Sequence, residues 1–149
     1  NFFYIFRLPQ VAGKTNSPTF ARFMFNAIQK NIYFKLNQYS SRNLILVRDV
    51  YEISKYIIDN KHYINEVTNI AAAKNYLVHE IVSRIEVIQN RKANYSFVNC
   101  GSIHDINISK LIKLNNNFDI FDENYLDKLL NVYYCEYHKH NFNYGDLSV

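Results

Sequence analysis

The segment Arg42-Asn43-Leu44-Ile45-Leu46-Val47-Arg48-Asp49-Val50 joins a basic residue, a short apolar run and an acidic residue in nine positions. The apolar run predicts a short strand over residues 43–47. Apolar residues that recur at helical spacing after it predict a helix that starts at Asp49 and ends near Asn60. We expect Asp49 to cap that helix, because a carboxylate accepts N–H bonds at the positive end of the helix dipole. A strand that leads directly into a helix is typical of α/β proteins.

Strands and helices alternate along the rest of the chain. Ser17 is an expected N-cap and Pro18 an expected first helical residue, and an apolar stripe at helical spacing follows from Phe20 to Ile28. The sequence predicts strands at 1–6, 32–36, 43–47, 67–72 and 95–98, the first of them a buried parallel strand, and helices at 18–28, 49–60, 77–88, 109–114 and 122–137. This alternation predicts the α/β class.

Composition excludes several classes of function. A chain of 149 residues has the length of one domain, and Cys100 and Cys135 are too few for a disulfide framework, so we expect a reduced, cytosolic setting. The net charge of +4 is spread over scattered basic and acidic residues, which argues against nucleic-acid binding. No apolar run reaches the roughly 18 residues that cross a membrane. His138 and His140 lack a third ligand, so no metal site is predicted.

Two sequence features bear on catalysis by this chain alone. No Gly-x-Gly-x-x-Gly occurs, so no loop is predicted whose backbone could approach a dinucleotide pyrophosphate at a helix N-terminus. Tyr51 and Lys55 match Tyr-x-x-x-Lys, in which a lysine lowers the pKa of a catalytic tyrosine, but a motif this short arises easily by chance. We therefore predict no catalytic residue in this chain.

Four motifs occur in the order and spacing of a known family. They are Arg7-x-Pro9-x-x-x-Gly13, the Arg42–Val50 segment, the Asn69–Leu77 loop and the segment from Phe97 to Leu111. Together they resemble the second half of an extended short-chain dehydrogenase/reductase, the family of NAD(P)-dependent sugar-nucleotide epimerases, dehydratases and reductases. The resemblance implies the last strands of a Rossmann-type parallel sheet plus a small mixed α/β substrate-binding lobe, without the N-terminal dinucleotide-binding half.

The resemblance also implies roles for particular residues. In relatives the backbone after the motif proline faces the nicotinamide, and the arginine that starts the second motif clasps the substrate diphosphate. The implied cofactor-binding residues are Pro9, Gln10 and Val11, and the implied substrate-binding residues are Gln10, Arg42, Asn99 and His104. Asn99 and Ser102 stand where many relatives have an arginine and an aspartate, which implies a weakened or different nucleotide site.

The implied function is the nucleotide-sugar-binding portion of an epimerase, dehydratase or 4-keto-reductase of surface-polysaccharide assembly. Residues 1–137 would form this portion and residues 138–149 a polar tail. The parent enzyme would use NAD or NADP, which this chain alone is not expected to bind tightly. Its expected partners are a nucleotide-diphosphate sugar, the missing N-terminal half and, in a homodimer, a second copy. The alternative is a non-enzymatic interaction or dimerisation module, favoured by Asn99, Ser102 and alanines in place of loop glycines at 71 and 73.

Overall fold

The computed structural model describes residues 2–15 and 17–138. Within these ranges, eight short strands and five α-helices alternate, with a 3₁₀ turn before the last helix and a π-helical segment after it. In chain order they are β1 (Ile5–Arg7), β2 (Gln10–Ala12), α1 (Phe20–Gln29), β3 (Phe34–Asn37), β4 (Ser41–Arg42), β5 (Leu44–Leu46), α2 (Val47–Asp59), β6 (Val67–Asn69), β7 (Tyr76–Leu77), α3 (Val78–Gln89), β8 (Tyr95–Val98), α4 (Ser109–Lys113), the 3₁₀ turn (Asp119–Phe121), α5 (Tyr125–Val132) and the π-helical segment (Tyr133–His138).

The strands pair across long sequence separations. β1 pairs with β6, β2 with β5 and β3 with β8, all three in parallel, while β4 and β7 form a short antiparallel pair. Parallel partners need a crossover connection, and helices such as α1, α2 and α3 lie between the paired strands in the sequence. The predicted α/β class is therefore confirmed.

The core lies between the helices and the strand pairs. α1 packs on α3, α3 packs on α5, and α5 also contacts β5. Burial of each large apolar side chain contributes about 1.5–3 kcal/mol, so this shared core is the main source of stability. The largest fully buried side chains are Phe25, Ile28, Leu36, Ile45, Leu46, Ile53, Ile57, Ile70, Ile81, Ile85, Leu111 and Ile120.

Both helix starts predicted from polar residues are wrong in detail. α1 is capped by Thr19, whose hydroxyl accepts a hydrogen bond from the amide of Arg22 at 3.4 Å, so Ser17 and Pro18 precede the helix. α2 begins at Val47 without a side-chain cap, and Asp49 lies inside its first turn. The carboxylate of Asp49 is buried against a tertiary partner, which removes it from the backbone N–H groups of its own helix.

The N-terminal strand pairs in parallel, as predicted, but it is shorter and less buried than expected. β1 spans three residues, and the side chains of Phe2, Phe3 and Ile5 are 68%, 51% and 46% exposed. The helix predicted over 122–137 begins later, at Tyr125, and changes to a π-helical segment after Val132. The predicted polar tail falls largely outside the described residues, which end at 138.

Two findings concern the described part of the chain as a whole. None of its helices combines the length and the apolar character that a membrane span requires. Its His, Cys, Asp and Glu side chains form no group of three or more that could hold a metal ion.

Candidate functional site

Asn43 is the centre of a buried hydrogen-bond network between β4 and β5. The two hydrogens of its Nδ2 group are shared among three acceptors, the carbonyl oxygens of Ala72 and Lys74 at 2.9 and 3.2 Å and Oδ1 of Asn75 at 3.0 Å. Its Oδ1 accepts from the amide of Ala72 at 3.0 Å. One side chain thereby satisfies several backbone groups of the 70–75 loop and fixes this loop against the start of β5.

The loop after β8 lies against the segment that leads into β4. The amide of Ser41 donates to the carbonyl of Ser102 at 3.4 Å. Gly101 has φ of 118°, and a Cβ atom there would lie 2.6 Å from the backbone nitrogen of Ser40. This conformation and this close approach both require glycine. Gly101 thus lets the loop place Ser102 directly beside the strand that carries Arg42.

Ser102, His104 and Asn75 connect that loop to the Asn43 network. Ser102 Oγ and His104 Nε2 lie 2.7 Å apart in a hydrogen bond. Asn75 Nδ2 donates to the carbonyl of His104 at 2.9 Å and to Oδ1 of Asp105 at 3.2 Å. The side chains of Ser102, His104 and Asp105 remain exposed to solvent. The 102–105 loop is therefore held by its backbone while its polar side chains stay accessible.

β2 brings the predicted cofactor-facing segment to the same place. Gln10 is in parallel register with Leu44, and its amide donates to the carbonyl of Asn43 at 3.3 Å. The Gln10 side chain is exposed, whereas Pro9 and Val11 are half-buried. The 9–11 segment therefore lies directly beside the Asn43 backbone.

Arg42 stands in the chain between Ser41, which bonds to Ser102, and Asn43, which bonds to Gln10. It is half-buried on β4 in antiparallel register with Tyr76, and its Nη1 donates to the carbonyl of Ser41 at 2.8 Å. A guanidinium has five N–H donors in a planar fork, so this bond orients the group and leaves donors that suit a carboxylate or a phosphate. Arg42 is the cation best placed to bind an anion at this site.

The structure places the backbones of Gln10 and Ser102 beside residues 41–44, and the predicted substrate-binding roles of Gln10, Arg42 and His104 stay predictions. Asn99 is exposed just beyond β8. In the part of the chain that the structure describes, no hydrogen bond connects Asn99 to Arg42 or to the Asn43 network. Its predicted role in substrate binding stays a prediction.

Behind this site, a buried carboxylate joins α2 to α5. The hydroxyl of Tyr125 donates to Oδ2 of Asp49 and accepts from the amide of Leu46 at 3.1 Å. Arg48 Nε lies 3.5 Å from Oδ1 of Asp49. Burial raises the pKa of Asp49, and the bonds from Tyr125 and Arg48 oppose that rise. Burial also raises the pKa of Tyr125, so its hydroxyl stays protonated as the donor. The junction between β5 and α2 is therefore fixed by a side chain of α5.

The glycine of the Arg-x-Pro-x-x-x-Gly motif has a packing role. Gly13 is buried, and a Cβ atom at this position would lie 2.7 Å from Cγ1 and 3.0 Å from Cβ of Val47. Glycine at this position lets the end of β2 approach the first residue of α2 closely. The same contact holds the Pro9–Val11 segment near Arg42.

Tyr51 and Lys55 lie on α2 away from these contacts. Tyr51 is 65% exposed, and Lys55 Nζ is paired with Asp59 one turn further along the same helix.

The sequence did not predict that Asn43 is buried, nor that the side chains of Asn75 and Tyr125 form long-range hydrogen bonds. Because the chain is rich in asparagine, an asparagine at a given position is not by itself a sign of function. The only sequence signal for Asn43 is its position directly after Arg42.

Solved structures provide the comparison with known proteins. The chain is similar to dTDP-glucose 4,6-dehydratase from Bacillus anthracis in complex with NAD, with 16% identity, a TM-score of 0.69, and coverage of 95% of this chain and 46% of that chain. It is similar to UDP-glucuronic acid 4-epimerase from Bacillus cereus in complex with UDP-glucuronic acid and NAD, with 20% identity, a TM-score of 0.71, and coverage of 93% and 45%. It is also similar to dTDP-4-dehydrorhamnose reductase from Bacillus anthracis in complex with NADP, with 16% identity, a TM-score of 0.65, and coverage of 89% and 48%.

These likenesses establish the fold. Neither a protein-family model nor a curated protein sequence matches the chain. The chain has the fold of part of a Rossmann-type short-chain dehydrogenase/reductase, and it spans slightly less than half the length of the structures named above. The predicted resemblance to sugar-nucleotide dehydratases and epimerases is confirmed at the level of structure.

Proposed function

We propose that this chain is the nucleotide-sugar-binding portion of an NAD(P)-dependent sugar-nucleotide epimerase, dehydratase or 4-keto-reductase. The observation that carries the proposal is the order of groups along residues 41–44. The 102–105 loop bonds to Ser41, Arg42 follows, and Gln10 bonds to Asn43 and pairs with Leu44. A cation flanked by two polar segments suits a ligand whose phosphates lie in the middle. The solved enzymes with this fold include one in complex with UDP-glucuronic acid.

In this proposal Arg42 binds the diphosphate with the donors of its guanidinium that do not bond to Ser41. A bidentate, charge-assisted contact is among the stronger ones available at a partly buried position. Gln10 presents an exposed amide, which can donate to a phosphate or sugar oxygen. Pro9 and Val11 complete a rigid wall that would lie beside the nicotinamide of NAD or NADP.

A second polypeptide segment, the dinucleotide-binding half, would complete the enzyme. The amide of Ile5 donates to the carbonyl of Glu66, and the carbonyl of Arg7 accepts from the amide of Ile70. Because peptide groups alternate in direction along a strand, those of Phe6 face the opposite edge of β1. Exposed Phe2, Phe3 and Ile5 lie along the same short segment. In the part of the chain that the structure describes, no strand pairs with this opposite edge. An open edge with apolar side chains is suited to a further parallel strand and its helices.

The parent enzyme would catalyse hydride transfer in the cytosol. Hydride transfer between the nicotinamide and a sugar carbon would take place at the Pro9–Val11 wall. The proton-transferring tyrosine and lysine would come from the dinucleotide-binding half, so this chain alone would be inactive. We place the enzyme in the cytosol because both Cys100 and Cys135 are free thiols. Its role in surface-polysaccharide assembly is proposed from the family resemblance of the Arg7 and Arg42 motifs.

The decisive experiment measures the thermal unfolding midpoint of this chain against UDP-, CDP-, GDP- and dTDP-sugars. We expect one nucleotide class to raise the midpoint, because a ligand that binds only the folded state stabilises it. The Arg42→Ala variant should lose that shift. NAD and NADP alone should produce no comparable shift, since the chain has no glycine-rich dinucleotide loop.

Arg91→Ala is the matched control. Arg91 also donates through Nη1 to a backbone carbonyl, that of Gln29 at 2.7 Å, but it lies after α3 and away from the site. It should keep the full ligand shift. If no nucleotide sugar shifts the midpoint, or if both arginine variants lose the shift equally, the proposed site is wrong. A stable protein partner found in that case would favour the non-enzymatic interaction module.

A further inference from the structure

Charged residues are distributed unevenly along the chain, although the net charge is only +4. All 13 acidic residues lie within 49–86 and 105–149. The stretches 1–48 and 87–104 contain no acidic residue, but they hold Arg7, Lys14, Arg22, Lys30, Lys35, Arg42, Arg48, Arg91 and Lys92. Both strands of the β3–β8 pair belong to these stretches, so the pair is built only from neutral and basic residues.

β8 has an open edge. The carbonyls of Asn94 and Val98 accept hydrogen bonds from amides of β3 and of the residue that follows it, both at 3.0 Å. Because peptide groups alternate in direction along a strand, the N–H and C=O groups of Tyr95 and Phe97 face away from β3. Among the described residues, no strand pairs with that second edge of β8. Two N–H groups and two C=O groups are therefore available to a further strand.

The two faces of β8 differ in chemistry. On one face the Phe97 ring is 52% exposed and meets the rings of Tyr95 and His79 edge to face. Ser96 lies on the other face, in register with exposed Lys35. No carboxylate of the described residues pairs with Lys35. A strand added at this edge would place every second side chain on an aromatic surface and the others beside a cation.

Two further cations precede β8 in the chain. Arg91 and Lys92 are both exposed. Lys92 pairs with Glu86, which also accepts a hydrogen bond from the amide of Ala93 at 2.8 Å. Together with Lys35, these cations outnumber the one carboxylate, so the edge attracts acidic side chains.

We propose that the open edge of β8 binds, by strand addition, an extended segment of a partner protein in which acidic residues alternate with apolar ones. The apolar side chains pack on Tyr95 and Phe97, and the acidic ones lie beside Lys35. A second copy of β8 does not fit, because like charges on two basic edges repel each other. Binding at this edge does not require the proposed nucleotide site.

A protein strand matches this surface better than a nucleic acid or a lipid surface does. Open N–H and C=O groups alternate along the edge of β8, and only another peptide backbone offers matching groups at the same spacing. The rings of Tyr95 and Phe97 meet at 84°, so they do not form a row of parallel ring faces on which bases could stack.

Fluorescence anisotropy with labelled synthetic peptides tests the proposal on the whole chain. The probe alternates valine and aspartate over about eight residues, which is within the ordinary length of a strand. One comparison peptide has lysine in place of aspartate, and another keeps the composition but has all its valines before its aspartates. We expect the probe to bind roughly fivefold more tightly than either, because pairing requires both the charge and the alternation. Equal binding of the three peptides overturns the proposal.

Phe97→Pro tests the backbone part of the match. It removes the outward N–H group without breaking a bond to β3, because proline is tolerated where the N–H faces an open edge. Phe97→Ala is the matched control, since it removes the same ring and keeps the N–H group. The proline variant should bind the probe about fivefold more weakly than the alanine variant. Equal binding by these two variants, both shown to be folded by their unfolding midpoints, contradicts strand addition.

Lys35→Glu tests the charge part and does not depend on the proline variant. The reversed charge should weaken binding of the acidic probe roughly fivefold and strengthen binding of the lysine peptide. Lys113→Glu is the control, because Lys113 is exposed on α4, which packs on β6, and its reversal should change neither affinity. If both variants lose affinity equally, the net charge decides and the assigned edge is wrong. Preference of the chain for a uridine oligonucleotide or for phosphatidylserine vesicles over the probe would also overturn the proposal.

Discussion

At the scale of single residues, Asn43 is the side chain on which the candidate site depends most. It is buried, and its hydrogen bonds satisfy two carbonyls and one amide of the 70–75 loop. A buried polar group without a partner costs about 1–3 kcal/mol. Replacement by alanine would leave several such groups at once, so the loop and the Asn75 contact to the 102–105 loop would loosen together.

We therefore expect Asn43→Ala to lower the free energy of unfolding by about 3 kcal/mol. Urea denaturation followed by circular dichroism measures this change. Asn131→Ala is the matched control, because Asn131 also donates through Nδ2, to the carbonyl of Asp127 at 2.8 Å, but is exposed on α5. Its cost should stay within about 0.5 kcal/mol. Equal effects of the two substitutions would show that Asn43 does not organise the site.

Asp49 gives a prediction with a defined pH dependence. Burial raises its pKa, while Tyr125 and Arg48 lower it and the Asp119 carboxylate raises it slightly. A carboxyl whose pKa is higher in the folded chain binds its proton more tightly there. Its contribution therefore favours the folded state most below its ordinary pKa of about 3.9, and that contribution is lost as pH rises through the folded pKa.

Asp49→Asn removes this contribution and keeps an oxygen that can accept from Tyr125. The stability of the variant relative to the unmodified chain should consequently increase as pH rises from about 4 to about 7. Urea denaturation of both proteins across this range measures the difference. A difference that stays constant with pH, or that decreases, would contradict the assignment of a raised pKa to Asp49.

At the scale of elements, the contact between β2 and α2 holds two parts of the site together. The missing Cβ of Gly13 leaves just enough room for Val47, whose side chain is 44% exposed. Gly13→Ala should cost about 1–3 kcal/mol, because the added methyl group overlaps Val47. Val47→Ala alone should cost little, since alanine has the higher helix propensity and the valine is half out of the core.

The double variant tests the contact directly. If the overlap is the cause, Gly13→Ala in the Val47→Ala background should cost about 1 kcal/mol less than in the original background. Thermal or urea unfolding of the four proteins supplies the complete cycle. Additive costs would contradict the overlap with Val47, because Gly13 does not have a positive φ that would itself require glycine.

Some helices and strands could be predicted from the sequence, whereas others could not. α1, α3 and β8 follow from apolar spacing, and β8 was predicted over the four residues it occupies. β2, β4 and β7 are only two or three residues long, and each exists through a partner at least 34 positions away, so no local pattern reveals them. The misassigned cap at Asp49 has the same cause, because its partner Tyr125 belongs to a distant helix. The family resemblance predicted a role for Arg42, which stays a prediction, whereas the network around Asn43 depends on long-range contacts.

At the scale of the whole molecule, exposed apolar residues occur at several places on the surface, and the segment from Phe2 to Leu8 groups four of them within seven positions: Phe2, Phe3, Ile5 and Leu8. Among the described residues no strand pairs with the second edge of β1, so this segment combines an open strand edge with exposed apolar side chains. Such an edge is a template for pairing with another strand, whether from the proposed dinucleotide-binding half or from a second copy.

We expect the isolated chain to self-associate through this segment as its concentration rises. The combined variant Phe2→Ser, Phe3→Ser and Leu8→Ser removes apolar side chains that are each about half or more exposed. It should stay monomeric in sedimentation velocity. Its free energy of unfolding should fall by no more than about 1 kcal/mol. Val87→Ser is the control, because Val87 is 81% exposed on α3, away from any strand edge, and its removal should leave self-association unchanged. If the chain stays monomeric at every concentration, the open edge of β1 does not drive self-association. The proposal that a further strand pairs with β1 would then rest only on the related structures, of which this chain covers slightly less than half.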